Sequence, residues 1–318
     1  MTRVSTSLLN SVAPPWLWTS FIGGVLVLLL IDLFVFQRKP HKIHIKEALI
    51  TSLVWIILAL GFTLWFSTQF GKHPGTEFLT GYIIEKSLSL DNLFVIYMIF
   101  EAFQVPSKHQ HRVLFYGILG AIIMRGTLII VGAKLIQEFH WILYVFGFFL
   151  IITAIRFLRN SDTPIDFTEN RVVKLISRLF PITHEIHGKS FFVLEDGKKK
   201  ATRLFLVLIL VEISDLIFAF DSIPAVFAVT ADPFIAFASN ILAILGLRAL
   251  YFVIADSVVR IRYLKPGLAV VLAFIGTKML LMEIWHVPSS VSLLVIIGIL
   301  STAAVSSWYM SRVNKTRL

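Results

Sequence analysis

The segment Glu212-Ile213-Ser214-Asp215-Leu216-Ile217-Phe218-Ala219-Phe220-Asp221-Ser222-Ile223-Pro224 carries three carboxylates within an apolar run that extends from residue 204 to residue 229. A weaker copy lies upstream, where Glu85-Lys86-Ser87-Leu88-Ser89-Leu90-Asp91-Asn92 interrupts another apolar run. An acid costs about 2.5–3.5 kcal/mol when it enters the centre of a membrane helix. Acids that are present in such segments are therefore candidate functional residues.

The composition around these segments is that of a membrane protein. Of the 318 residues, 57% are hydrophobic, whereas an average soluble domain has about 45–50%. Apolar windows of about 20 residues recur, and they are continuous rather than alternating, which favours helices over a β-barrel. No cysteine is present, so this chain has no thiol redox chemistry or thiolate metal site of its own. We predict an all-α polytopic membrane protein with residues 1–318 as a single transmembrane domain.

Nine transmembrane helices are predicted from the apolar windows. The first is too long for the apolar part of a signal peptide, and its basic cluster follows it, so we interpret it as a retained helix. The predicted spans are residues 16–36, 48–69, 77–102, 112–134, 141–158, 203–229, 233–256, 266–283 and 289–310.

The basic residues of the loops predict the orientation of the chain. Every second loop is rich in lysine and arginine, and these loops together hold 22 of the 29 basic residues. The opposite side holds only Arg3, Lys72 and Lys134. Basic loops stay in the cytoplasm. We therefore predict a multi-pass membrane protein with its N-terminus outside and its C-terminus in the cytoplasm.

The longest loop, residues 159–202, is predicted to be cytoplasmic and to have some structure. Apolar and basic residues alternate with helical spacing over residues 172–180, which predicts an amphipathic helix on the membrane surface. Asp196-Gly197, between residues 191–194 and 198–202, is typical of a β-hairpin turn. A solvated basic linker is the alternative interpretation.

An inverted repeat is predicted for residues 77–158 and 203–283. Glu85 and Asp91 are six residues apart, as are Asp215 and Asp221. In the span that follows each acidic pair, an arginine occupies a similar position: Arg125 in the first block and Arg248 in the second. Three spans are an odd number, so the two copies insert with opposite orientations, as in many secondary transporters. Chance similarity between apolar segments is the alternative.

Helix geometry suggests how the acids of the second repeat could converge. On an ideal helix Glu212 and Asp215 share a face, whereas Asp221 is rotated away by about 120°. Pro224 removes a backbone hydrogen bond and clashes with the carbonyl of Phe220. We therefore expect a kink or an unwound turn beside Asp221 that redirects its side chain.

The acids and the polar residues beside them predict a site for a divalent cation. All these groups are oxygen donors, which suits Mn²⁺, Mg²⁺ or Ca²⁺. Protons compete with metal for carboxylates, so proton-coupled transport is physically natural. Structural ion pairing of the acids is the alternative. The predicted ligands are Glu85, Asp91, Asn92, Glu212, Asp215 and Asp221, supported by Ser87, Ser89, Ser214 and Ser222 and by the charge-balancing Lys86, Arg125 and Arg248.

Both acidic segments resemble the signatures of the TerC family of integral membrane proteins. The first is Glu85 to Asn92 followed by Phe94-Val95, and the second is Glu212 to Ala225. Residues 240–248 are also similar to that family, and the resemblance is greatest to its Alx-like branch. It implies a protein of the bacterial inner membrane, with a periplasmic N-terminus, that exports Mn²⁺ from the cytoplasm with the acids as the metal site.

Older labels of the TerC family give alternative functions. They are a membrane-bound redox modulator and a tellurium-resistance or stress component without transport activity of its own, and the Alx-like branch has an alkaline-induced member. We expect a transporter rather than an enzyme, with lipid, a divalent metal and protons as partners. Neither an organic cofactor nor nucleic acid is expected.

Overall fold

The computed structural model describes residues 11–36, 45–159, 190–195, 198–257, 264–284 and 287–315. These residues form ten helices and one hairpin. The helices are α1 (Pro15–Phe36), α2 (Ile45–Phe70), α3 (Lys72–Ala102), α4 (Ser107–Glu138), α5 (Ile142–Arg159), α6 (Arg203–Phe227), α7 (Pro233–Leu245), α8 (Leu247–Ser257), α9 (Leu264–Leu280) and α10 (Ser289–Lys315). The strands are β1 (Phe192–Glu195) and β2 (Lys198–Ala201).

The helical segments confirm the predicted all-α membrane fold. Only Gly246 separates α7 from α8, and the two together make the predicted seventh span. By length and composition, four segments of the described chain can cross a membrane: Ile45–Phe70, Ser107–Glu138, Pro233–Val253 and Ser289–Ser307. Shorter apolar helices occupy Pro15–Ile31, Ile142–Arg156 and Pro266–Leu280.

Burial separates the helices that face lipid from those that face protein. The outer faces of α2 and α10 expose large apolar side chains, including Leu64 and Leu294. In α7, by contrast, every residue is buried. This helix packs against α3 and α4, and its Phe234 contacts the aromatic rings of Trp18 in α1 and Phe66 in α2. The interior of the bundle is therefore built around α3, α4, α6 and α7.

Hydrogen bonds at helix ends fix where α7 begins. Asp232 accepts hydrogen bonds from the backbone N–H groups of Phe234 and Ile235, with Pro233 at the first helical position. This is the usual chemistry of a helix N-terminus. The same carboxylate also accepts hydrogen bonds from the Ser11 hydroxyl and the Val12 backbone N–H. The segment before α1 is thereby tied to the start of α7.

The predicted hairpin is confirmed in the loop between α5 and α6. Strands β1 and β2 are antiparallel, with Phe192 opposite Ala201 and Glu195 opposite Lys198. Phe191, just before β1, packs its ring 5.3 Å from that of Tyr116 in α4, and Arg112 lies 4.9 Å from the centroid of the Phe191 ring. The amphipathic helix predicted for residues 172–180 lies outside the described residues.

The unwound turn predicted beside Asp221 is wrong, whereas the kink given as the other possibility stays a prediction. α6 continues from Arg203 to Phe227 with Pro224 inside it. Pro224 lies in the last turn, where its ring removes a single backbone hydrogen bond and the surrounding helix is held by packing. The interruption instead falls in the seventh span, at Gly246.

The packing of α3–α5 against α6–α9 is consistent with the repeat. Both α3 and α4 contact α6 and α7, and α5 packs along α9. A two-fold relation that exchanged α3 with α6, α4 with α7–α8 and α5 with α9 would produce these pairings. The inverted repeat itself stays a prediction.

Candidate functional site

Arg125 of α4 is the centre of a buried polar cluster. Its side chain is 1% exposed. Its Nε donates to Asp215 Oδ2 at 2.9 Å and its Nη2 donates to Asp215 Oδ1 at 2.7 Å. These two parallel hydrogen bonds form the fork that a guanidinium makes with a carboxylate. Its Nη1 donates to Glu85 of α3 and, at 3.3 Å, to the Ser222 hydroxyl of α6.

Asn92 completes what we call the Arg125 cluster: Glu85, Asn92, Arg125, Asp215 and Ser222. Its Nδ2 donates to Asp215 Oδ1 at 2.8 Å. Glu85 and Asn92 are on α3, Arg125 is on α4, and Asp215 and Ser222 are on α6, so three helices meet at one point. With both carboxylates ionised, two negative charges face one guanidinium, and the cluster keeps a net negative charge.

Several oxygen atoms in and beside the cluster lack a hydrogen-bond partner within the described part of the chain. They include Glu85 Oε2 and Asn92 Oδ1, and the hydroxyl of Ser89 one turn away. A buried polar atom without a partner costs about 1–3 kcal/mol. Such atoms call for an explanation, and a bound ion or water is one of the usual ones.

Glu212 lies one turn before Asp215 on α6 and packs against α4. A methyl group built at Gly120 would collide with its carboxylate. Glycine at this position therefore leaves room for the acid between the two helices. Among the described residues no group hydrogen-bonds to Glu212 Oε2.

Asp221 of α6 is directed towards α5 rather than into the Arg125 cluster. Its Oδ1 accepts a hydrogen bond from Thr153 at 3.0 Å. No feature of the sequence identified Thr153, because a threonine in an apolar span is common. Asp91 lies on α3, and its side chain is outside the described residues. Its role as a ligand therefore stays a prediction.

The predicted supporting residues divide into three groups. Ser87 and Ser214 donate to carbonyl oxygens of their own helices, those of Ile83 and Val211, so the structure does not bring them into the Arg125 cluster. Lys86 donates to the Ala243 carbonyl at 3.2 Å, in the last turn of α7, where a cation is favoured by the helix dipole. Arg248 is buried at the start of α8.

Asn240 of α7 is a buried polar residue that the ligand prediction omitted. It is 0% exposed, and among the described residues neither its Nδ2 nor its Oδ1 has a hydrogen-bond partner. Its side chain could have been singled out from sequence, because an amide within an apolar span is costly to bury.

The arrangement brings Glu85, Asn92, Asp215 and Ser222 together, whereas Glu212 lies one turn away against Gly120 of α4 and Asp221 bonds to Thr153 of α5. Across the side chains that the structure describes, no three Asp, Glu or His residues are grouped closely enough to hold a metal ion. In this conformation the guanidinium of Arg125 is the cation that the two central carboxylates share.

A family model described as the integral membrane protein TerC family matches residues 70–315, which include the whole cluster. The chain belongs to the TerC family. An "Uncharacterized membrane protein STKORF319" of Myxococcus xanthus is 48% identical over 302 residues, covering 95% of each chain.

Other relatives are similar over nearly the full length. The "Putative membrane-bound redox modulator Alx" of Escherichia coli strain K12 is 45% identical over 319 residues, covering 97% of this chain and 99% of that protein. An "Uncharacterized membrane protein" of Rickettsia felis is 41% identical over 290 residues, covering 91% and 96%. No solved structure matches this TerC-family chain significantly.

Proposed function

We propose that this TerC-family protein transports a divalent metal cation, Mn²⁺ above all, out of the cytoplasm through the acids between α3, α4 and α6. The observation that carries the proposal is the Arg125 cluster, in which two buried carboxylates share one guanidinium while Glu85 Oε2 and Asn92 Oδ1 stay unpartnered among the described residues. Buried ionisable residues within membrane helices commonly mark ion pathways.

The chemistry of the cluster favours a hard cation. Its available groups are carboxylate, amide and hydroxyl oxygens, which are the ligands of Mn²⁺, Mg²⁺ and Ca²⁺. A divalent ion carries more charge than a guanidinium, so it can take the place of Arg125 beside Glu85 and Asp215 when the helices rearrange. Glu212 and Asp221 are further acids on α6 that the ion can meet on its way.

Protons are the natural counter-ions. A carboxylate that releases a metal in a low-dielectric interior becomes costly to keep charged, and it takes up a proton or returns to Arg125. Export of metal coupled to proton uptake follows from this competition. The alkaline-response association of the Alx-like branch would fit such coupling, because a change in pH shifts the competition.

A second function is favoured by the same geometry. The fork between Arg125 and Asp215 is also what a purely structural ion pair looks like, and a protein so stabilised could serve as a membrane scaffold in redox or tellurium stress without transporting metal. The redox name belongs to the relatives. Without cysteine, such a role here would depend on a cofactor or a partner.

Cellular metal content separates the two functions. The protein and its Asp215→Asn and Asp221→Asn variants would be expressed at matched membrane levels, and the metals in the cells would be measured by mass spectrometry. Glu138→Gln, at an exposed acid on α4, is the matched control.

Transport predicts a selective fall in cellular manganese with the native protein and with Glu138→Gln, and no fall with the two Asp→Asn variants. Unchanged manganese with the native protein, or an equal fall with all four proteins, would refute export through this site.

A further inference from the structure

Two small cavities adjoin at Arg248, and one of them reaches the Arg125 cluster. The inner cavity contacts the cluster at Asn92 and Asp215, and its remaining wall is mostly apolar and includes Ile118 of α4. The outer cavity is lined by residues of α2, α4 and α8, including Glu47, Thr51, His111 and Phe252. Arg248 lines both cavities.

Each cavity is large enough for water. About 30 Å³ of the inner cavity and about 20 Å³ of the outer one are open to the centres of water-sized molecules, and one water needs roughly 10–15 Å³ by this measure. The inner cavity also offers polar partners, since Asn92 and Asp215 line it and Asn92 Oδ1 is unpartnered among the described residues.

The outer cavity lies near the end of the bundle that charge predicts to be cytoplasmic. Glu47 and Thr51 are in the first two turns of α2, and His111 is in the second turn of α4, close to the basic loops before those helices. The two cavities therefore run from the predicted cytoplasmic side to the carboxylate of Asp215, with the buried Arg248 between them.

We infer that the two cavities form the cytoplasmic access path of the transported cation, and that Arg248 is the charged gate between the outer and inner halves. This inference rests on the proposed transport function. Arg248 is a buried cation that lines both cavities, so its side chain has to swing aside, together with the groups that it contacts, before a cation reaches Asn92 and Asp215. The residue thereby sets how often the site opens to the cytoplasm.

The absence of cysteine from the natural sequence makes the path directly testable. Ile118→Cys places a thiol at the inner cavity. Ile123→Cys is the matched control, because it makes the same substitution on the same helix at a position that is 64% exposed on the outer face of the protein. The probe is Ag⁺, a small thiol-reactive cation, applied in nitrate buffer to inverted and to right-side-out membrane vesicles.

The measurement is the fraction of thiols that Ag⁺ protects from a fluorescent maleimide added after denaturation. We expect Ag⁺ to react with Ile118→Cys in inverted vesicles, in which the cytoplasmic face is outside, and Mn²⁺ to slow that reaction. Ile123→Cys is expected to stay unreactive because lipid covers it. Reaction of Ile118→Cys only in right-side-out vesicles, or in neither kind, would overturn the path.

The gate is tested in the Ile118→Cys background. Arg248→Met is expected to speed the reaction with Ag⁺ about tenfold, which corresponds to about 1.4 kcal/mol, whereas Arg248→Lys retains the charge and the slow rate. Equal rates in all three proteins would remove Arg248 as the gate. If Arg248→Met does not fold, a rate for Arg248→Lys that differs from the native rate by tenfold would also contradict a gate based on charge.

Failure of this inference is distinguishable from failure of the proposed function. Ag⁺ labelling does not require transport, and manganese content does not report which cavity is used. An unreactive inner thiol in a protein that still lowers cellular manganese would refute the path alone. A reactive inner thiol with unchanged manganese would leave the path and refute transport.

Discussion

At the scale of single residues, Arg125 determines how the acids can be buried at all. Two carboxylates in an apolar bundle would be strongly disfavoured without a counter-charge, and one guanidinium serves both because its planar fork reaches Asp215 while Nη1 reaches Glu85. A buried ion pair of this kind is weak evidence that the protein gains stability. It does constrain which residues can be replaced, because removal of one partner leaves the other charge buried alone.

Arg125→Gln should therefore destabilise the purified protein by about 3–5 kcal/mol. If the freed carboxylates form a cation site, Mn²⁺ should restore part of this loss, by about 2.7 kcal/mol at a concentration 100 times its dissociation constant. Thermal unfolding in detergent with and without Mn²⁺ measures both effects.

Arg156→Gln is the control for this experiment, because Arg156 is an exposed arginine in the last turn of α5. It should change neither the stability nor the response to Mn²⁺. A destabilised Arg125→Gln variant that gains no more from Mn²⁺ than this control would show that Arg125 has a structural role only.

Gly120 provides a second prediction for a single residue. Gly120→Ala should displace the Glu212 carboxylate and cost about 1–3 kcal/mol through overpacking. Gly117→Ala, one turn earlier, brings its methyl group only to 3.4 Å from Val211 Cγ1 and should be neutral or slightly stabilising.

A double variant shows whether the cost of Gly120→Ala comes from Glu212. In the background of Glu212→Ala the acid is absent, so Gly120→Ala should no longer destabilise the protein in thermal unfolding. An equal loss with and without Glu212 would mean that the methyl group acts through the backbone of α6 instead.

At the scale of helices, the acids identified the right elements, but the proline did not locate the interruption. The cost of buried charge led from sequence to α3 and α6, and the structure places both inside the bundle. Pro224 is compatible with a continuous α6, whereas α7 ends before Gly246, where Lys86 approaches. Which carbonyl oxygens are exposed at the end of α7 depends on the helix that packs there. Tertiary contacts decide this, and the local sequence does not encode them.

Close packing between α5 and α9 gives a prediction for a pair of helices. A methyl group at Gly276 would lie 2.7 Å from the carbonyl oxygen of Gly147, so Gly276→Ala should push the two backbones apart and cost about 1–3 kcal/mol. Gly298→Ala on α10 is the control, because no atom lies within 4 Å of the added methyl group. Thermal unfolding in detergent distinguishes them, and equal midpoints for the two variants would contradict the close approach.

At the scale of the whole molecule, the apolar windows of the sequence were enough to predict the helical segments and the all-α class. The central role of Arg125 was only partly predictable. Its charge marked it as a partner for acids, but the sequence does not show that one arginine bridges α3 and α6 while Asp221 turns towards Thr153. Rotation of α6 about its axis decides which acids meet, and that rotation depends on packing by all its neighbours.

The orientation of the molecule in the membrane remains a prediction from charge. Green fluorescent protein fused after residue 318 should fluoresce, because the C-terminus is expected in the cytoplasm. Alkaline phosphatase fused after residue 140, between α4 and α5, should be active, because this turn is expected outside. The opposite pattern at both positions would invert the molecule and place the outer cavity on the periplasmic side.

The ion pair between Glu85 and Arg125 has a consequence for biogenesis. Its two partners lie on consecutive helices, so a hairpin of α3 and α4 can neutralise its own central acid as it leaves the ribosome. Asp215 comes about 90 residues later on α6 and cannot help at that stage. The first hairpin can thus partition into lipid as an electrically balanced unit, and the later helix is recruited by an arginine that is already in place.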